Sequence, residues 1–422
     1  MSIKKSIVII LAIVIVGIVA YVFLHSGSSP SATPNVGQTG SLPGVASSTV
    51  VVPSFFETNA TVASGTKIGS VSIVGPVRVA AYFVNASSAV IIVQTDGEII
   101  GLTGGQITTL SSSTIDNLVA AKFSYDGQKI VVSTGSVSDP VVNIFNATTS
   151  SWMSLGGGVI SPAWAPSDAR LAYLRDSGNG AETVMMIDFS KPKPTPVALG
   201  TFFMQDMGLT WINKDNLSLV SHPSAYTNGS ALVFNISKKT LSPVLVDQPG
   251  LETMWSGATS SSTGVSFFAN QSERGGHLQL INLQGVVLQN IAFLTLPTKC
   301  IFAAVPAAST STVTVASSTT VSSTMLVASS SLSAIRYPLS ALYCAVPRDQ
   351  ATLSYYDLPD AYEQNQIFTS DDLYRVDTTT GHIDTLFSDQ AQNFDMTDVS
   401  IVGSSAFFVN RYDQKLYAVR IQ

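Results

Sequence analysis

The residues best suited to hold a metal in this 422-residue chain are four histidines (His25, His222, His277, His382) and two cysteines (Cys300, Cys344). None stands at a ligand spacing, so no zinc or other thiolate and imidazole centre is expected. A calcium loop would need a D-x-D-x-D-G run, and there is none. A serine nucleophile on an α/β sheet would need G-x-S-x-G, which is also missing. The corner "SYDG" lacks the spacer and the tryptophan of a sialidase-like S-x-D-x-G-x-x-W corner. Four tryptophans are too few for a quinone-docking motif. The pair of carboxylates in "TSDD", residues 369–372, is expected to be solvated surface on a rim loop. No catalytic residue, cofactor or metal is expected, and the chain reads as a non-enzyme. The remaining chemistry is recognition. Tyr355, Tyr356, Tyr362 and Phe368 gather around "AYEQNQIFTSDDLY", residues 361–374, the most polar and aromatic stretch. Exposed, these rings would form an interaction surface; packed down, they would fix a long connection to the fold.

Such a loop needs a scaffold, and the repeats describe one. "KFSYDGQKIVV" (122–132) sets a polar corner between two apolar runs, and "AWAPSDARLAYL" (163–174) repeats it. Aligned on the aromatic before the corner, the copies place Phe83, Phe123, Trp164, Trp211, Trp255 and Phe302 at steps of 40, 41, 47, 44 and 47 residues. A period in the forties carried by strands predicts propeller blades. Second hairpins follow at 141–155, 231–245, 278–291 and 373–387, so each unit has four strands. No stretch after residue 25 has a capped 3.6-residue period. The fold class is therefore all-β, a propeller of seven blades, with six or eight as alternatives. The aromatics are expected to fill the gaps between blades. The last phrase supplies three strands, near Val399, Phe407–Asn410 and Leu416–Ile421. The segment Lys67–Val77 is expected to add the fourth and shut the ring.

"FSYDGQKIVV", "IFNATT" and "LYRVDTTTG" resemble the repeats of TolB-like propellers, a branch of the WD-repeat-like superfamily. Their usual phrases are W-S-P-D-G-x-x-I/L-A-F and I-Y-x-x-D-x-x-T-G. Trp164, Pro166 and Asp168 match the first, with Ala169 in place of its glycine; Asp377 and Gly381 match the second. The fourth and fifth corners lack the Asp-Gly pair. The resemblance covers residues 68–422 and implies a rigid interaction platform at the cell envelope.

Composition narrows the address. Charged residues make up 11% and apolar residues 45%, enough to bury a large core. A net charge of −6 gives no basic footprint, so nucleic acid is not an expected partner. From Ser6 to Leu24 nothing is charged, and nineteen residues of helix span about 28 Å. Lys4 and Lys5 precede this run, which favours a cytoplasmic N-terminus with the rest outside. Residues 1–25 thus read as a retained single-pass transmembrane anchor, a cleaved signal peptide being the rival. Residues 26–65, rich in Ser, Thr, Pro and Gly, read as a disordered stalk, and 66–422 as the propeller. A Ser/Thr-rich insert, 306–334, separates Cys300 from Cys344, read as neighbours on adjacent strands of the sixth blade. Outside the cytoplasm these two are expected to form a disulfide, with buried thiols as the alternative. Seven Asn-x-Ser/Thr triplets occur, but such triplets arise by chance in a Ser/Thr-rich chain. The expected function is a membrane-anchored extracytoplasmic platform for an envelope or extracellular protein. The alternative is a glycan-binding or hydrolytic propeller acting on extracellular polymers.

Overall fold

The apolar runs picked out by their spacing are strands, and the polar corners between them are tight turns. In the corner of the second repeat the Ser124 hydroxyl donates to Asp126 (2.6 Å), whose carboxylate accepts the Gln128 amide at 3.1 Å. Gly127 takes φ +70°, and a Cβ there would lie 2.3 Å from the Phe83 ring. Glycine serves twice at this corner: it supplies the turn and admits the neighbouring aromatic. Asn85, Asn146 and Asn235 hold other turns, their side-chain oxygens accepting amides two to four residues on. At these three positions the Asn-x-Ser/Thr triplets are turn chemistry.

The structure is a computed structural model, and it describes residues 68–137, 139–177, 180–257, 263–269, 274–304 and 340–421. In these, 28 strands form seven antiparallel sheets of four. In chain order the blades are 79–111, 118–154, 159–202, 207–249, 252–290, 300–387 and 396–420. The first strands of neighbouring blades touch, so these strands are innermost and line the ring axis. The seventh sheet has only three strands of its own. Its fourth is Val71–Ile73, which pairs antiparallel with the last strand (Val71↔Val419, Ile73↔Tyr417). The ring therefore closes as the sequence predicts, by sharing a sheet between the two ends of the propeller. A chain beginning at Arg78 should melt at a lower temperature and aggregate through the bared Lys415–Arg420 edge, whereas one beginning at Lys67 should stay monomeric. Thermal unfolding with size-exclusion chromatography of both checks this.

Buried apolar residues fall into seven clusters, one in each seam between neighbouring blades. A blade is thus sandwiched on both faces, which is why its central strands read as nearly continuous apolar runs. The repeat aromatics work in these seams. Phe83 stacks on Phe123 with ring centroids 5.9 Å apart. The Trp164 indole donates to the Lys122 carbonyl of the preceding blade (3.0 Å), and Trp211 repeats this on Ala163 (2.9 Å). Asp168 holds Arg170 in a fork, and that guanidinium lies 4.9 Å from the Trp211 ring. Cys300 and Cys344 face each other across the first two strands of blade 6 and form a disulfide. The chain-entropy account gives a 44-residue closure about 4 kcal/mol.

One feature departs from the sequence reading. Two one-turn helices, α1 (Gln350–Leu353) and α2 (Asp360–Glu363), sit in the connection between the second and third strands of blade 6. Four residues are too few to show a 3.6-residue period, and only Asp349, whose side chain accepts the Thr352 amide at 2.8 Å, marks a start. The proposed anchor (1–25), stalk (26–65) and insert (306–334) lie outside the described residues. Among the described residues no helix is long and apolar enough to cross a membrane.

Candidate functional site

Residues 348–370 form a lid over one rim of the propeller, and their ties reach four blades. At its start Arg348 donates to Asp372 (2.8 Å) and to the Asp389 carbonyl (2.7 Å). Gln350 pairs with both backbone groups of Leu294. Towards blade 4, Asp360 accepts the Ala225 amide (2.6 Å) and Asp357 accepts the Tyr226 hydroxyl (2.7 Å). From blade 5, Arg274 donates to the Tyr355 carbonyl (3.0 Å) and the Gly275 amide to that of Tyr356 (3.2 Å). From blade 7, Arg411 donates to the Tyr362 carbonyl (3.0 Å) and to Asn365 (2.6 Å). The underside of the lid places Leu353, Leu358, Ala361, Tyr362 and Ile367 in the seam between blades 5 and 6.

Beneath the lid is a buried ionic cluster. Lys299, just before the innermost strand of blade 6, donates to Asp371 (2.7 Å), Asp395 (2.8 Å) and Thr369 (2.6 Å). Asp395 also accepts the Tyr362 hydroxyl and Arg411, each at 2.8 Å. Asp371 accepts the Met396 amide at 2.7 Å. The "TSDD" carboxylates expected in solvent are inside: Asp371 is fully buried, and Asp372 is buried against Arg348. The physical reason is the presence of partners, two cations for the two deepest carboxylates, which makes burial tolerable. Burial alone would lower the Lys299 ammonium, but the charges of Asp371, Tyr362 and Asp395 outweigh it and hold it above its usual range. Burial lifts the Asp371 carboxyl despite Lys299. Burial also works against Asp395, yet Lys299 and Arg411 keep its carboxyl below the usual range. Apart from one Asp371 oxygen, which has no hydrogen-bond partner, these groups answer one another, so the cluster reads as a clamp between lid and ring.

Glu252 is different. It starts the innermost strand of blade 5 and is buried, and one of its carboxylate oxygens has no partner. Burial, then the charge of Glu363, push its carboxyl up to about 8, opposed only by the Thr298 amide. Burial also raises the Glu363 carboxyl, with His222 opposing. Nearer the axis, Lys122 on the innermost strand of blade 2 reaches the Pro162 carbonyl (3.2 Å), and enclosure by the ring lowers its ammonium.

The aromatic set splits. Tyr355 is 69% exposed, and Tyr356 and Phe368 are also exposed, Phe368 stacking on Tyr412 at 5.4 Å. Tyr362 does not belong with them: it is buried, with the Arg411 guanidinium 3.9 Å from its ring. Two exposed rings on the same rim had no signal in the sequence, Tyr226 (71%) and Phe203 (85%). Both sit in short connections whose importance depends on what folds beside them. Tyr226, Arg274, Asp357 and Leu358 line a cavity of about 270 Å³, together with Ala225, Ala269 and Gly275. On the opposite rim a cleft of about 410 Å³ opens between blades 1 and 2, around Phe83, Ile91 and Leu110. Among the described residues no three His, Cys, Asp or Glu side chains meet as a metal site.

No family model matches this chain. No curated protein matches it either. Solved structures do. An oligogalacturonate lyase in complex with manganese is 9% identical, with a TM-score of 0.53, over 85% of this chain and 94% of that one. An oligogalacturonate lyase from Vibrio parahaemolyticus is 9% identical, with a TM-score of 0.52, over 85% and 95%. The Swd1 propeller domain of Myceliophteria thermophila is 9% identical, with a TM-score of 0.48, over 84% and 100%. At such identity the two lyases show that the fold is shared, and nothing more.

Proposed function

We propose that this chain is a membrane-anchored, extracytoplasmic propeller that serves as a protein-interaction platform at the cell envelope, using the lid rim as its contact surface. The observation that carries this reading is the pair Tyr355 and Phe368, which are 69% and 45% exposed on a lid tied to several blades. Large rings that stay in solvent yet are already held in place cost little ordering when a partner binds. Phe203 and Tyr356 extend the same rim. The address rests on the uncharged run Ser6–Leu24 behind Lys4 and Lys5, and the Cys300–Cys344 disulfide suits an oxidising compartment.

The test is photo-crosslinking in intact cells. A photoreactive residue replacing Tyr355 or Phe203 should give a discrete protein adduct. The same residue replacing Tyr125, an exposed ring at a tight corner on the opposite rim, should not. Adducts from Tyr125 alone would move the surface to the other rim and end this reading. A reporter active only outside the cytoplasm, fused after Gln422, should be active; silence would end the proposed address.

A further inference from the structure

We infer that the cavity between the lid and blades 4 and 5 is a subsite for one neutral sugar ring. Three separate segments converge on it: Tyr226 from blade 4, Arg274 and Gly275 from blade 5, and Asp357 and Leu358 from the lid. Tyr226 donates its hydroxyl to Asp357 at 2.7 Å, so the ring is fixed while most of it faces solvent. A fixed aromatic face is a platform for the apolar C–H face of a pyranose. The polar edge of a pyranose needs groups that both accept and donate, because each hydroxyl does both. Asp357 has a second carboxylate oxygen beside the one held by Tyr226. Arg274 makes one side-chain hydrogen bond among the described residues, to the Tyr355 carbonyl at 3.0 Å. Its other N–H donors, set in a planar fork, belong to the same cavity lining as the Asp357 acceptor.

Two further observations set the class. The volume of about 270 Å³ lies just under the range for drug-sized ligands, so it fits a single ring and excludes a nucleotide-sized cofactor. The local charge is acidic, with Asp357 and Asp360 acting on Tyr226 against the cation Arg274, so uronic or sulfated sugars are repelled and a neutral one is preferred. A peptide anchor would favour a closed apolar pocket, whereas this cavity counts Asp357 and Arg274 among its lining.

The test uses the full-length protein in a detergent without a sugar headgroup. Hexamers of glucose (α- and β-linked) and of N-acetylglucosamine are titrated in, with hexagalacturonate as the acidic comparator, and read by saturation-transfer NMR and calorimetry. At least one neutral hexamer should bind saturably in the millimolar range or tighter. Tyr226→Ala and Asp357→Asn should each weaken it at least tenfold, Tyr226→Phe much less, and Tyr125→Ala on the other rim not at all. Near-UV circular dichroism confirms that each variant is folded. Four results would each overturn the inference: no saturable binding by about 10 mM, binding indifferent to Tyr226 and Asp357, preference for hexagalacturonate, or a crosslinked protein partner seated in this cavity. The platform reading is judged by its own crosslinks, so either can fail alone.

Discussion

A Lys299→Met variant is expected to lose about 3–5 kcal/mol of folding stability, the cost of breaking a buried charge pair by removing one partner. Lys299 is 1% exposed, and both its carboxylates, Asp371 and Asp395, are fully buried. Methionine keeps the length of the side chain but leaves Arg411 as the one cation facing two anions. Arg411 reaches Asp395 but not Asp371, so Asp371 becomes the orphan. The pH dependence follows from that. In the native protein Asp395 is held below its usual range, so its stabilising share is present above the unfolded carboxylate range and is lost as pH falls through its folded value. In the variant the unpaired Asp371 is pushed further up, and its share is lost as pH rises. The variant should therefore be more damaged at pH 8 than at pH 5, as measured by urea unfolding at both. Removing the orphan as well, in Lys299→Met with Asp371→Leu, should recover part of the loss. Limited proteolysis between 350 and 368 should also accelerate in the single variant, because the clamp holds the lid. A loss under about 1 kcal/mol, or one equal at both pH values, would show that the cluster is not a clamp.

What the sequence made legible, and what it hid, divides along one physical line. Local patterns survived. The corner Ser124–Gly127, the aromatic steps and the second hairpins are all written within a few residues, and each appears where its spacing placed it. Closure was legible because a sheet of three strands leaves an edge that must be covered, and Lys67–Val77 was the spare strand. The pairing of Cys300 with Cys344 followed from placing both on neighbouring strands. The lid was not legible. Lys299 meets its partners Thr369 and Asp395 across 70 and 96 residues, so "TSDD" reads as solvated surface when taken alone. Tyr362 fell in with its exposed neighbours because a single turn of helix, Asp360–Glu363, rotates it and Ala361 inward. Tyr226 gained its role from Asp357, 131 residues on.

Glu252→Gln should make the protein more stable, and the gain should depend on pH. The Glu252 carboxyl is pushed up to about 8 in the folded protein, through burial first and the charge of Glu363 second. In the unfolded chain it returns to about 4.3. Between these values the folded form keeps a proton that the unfolded form has released, so stability falls as pH rises across the window, by about 1.4 kcal/mol per pH unit. At pH 7 the accumulated cost is about 4 kcal/mol on this order-of-magnitude scale; near pH 4 it is close to zero, and above 8 it levels off. Glutamine is neutral throughout and keeps the shape. Its oxygen can take the Thr298 amide, and its nitrogen inherits the unpartnered position, so the substitution isolates the charge. The expected result is a variant that matches the native protein at pH 4 and exceeds it increasingly up to pH 8 in chemical unfolding. Removing the second cause, with Glu363→Gln, should shrink the difference without abolishing it, because burial is the larger cause. A gain of the same size at pH 4 and pH 8 would mean that Glu252 is not held as a neutral acid. The cost would then come from its missing hydrogen-bond partner, which does not titrate.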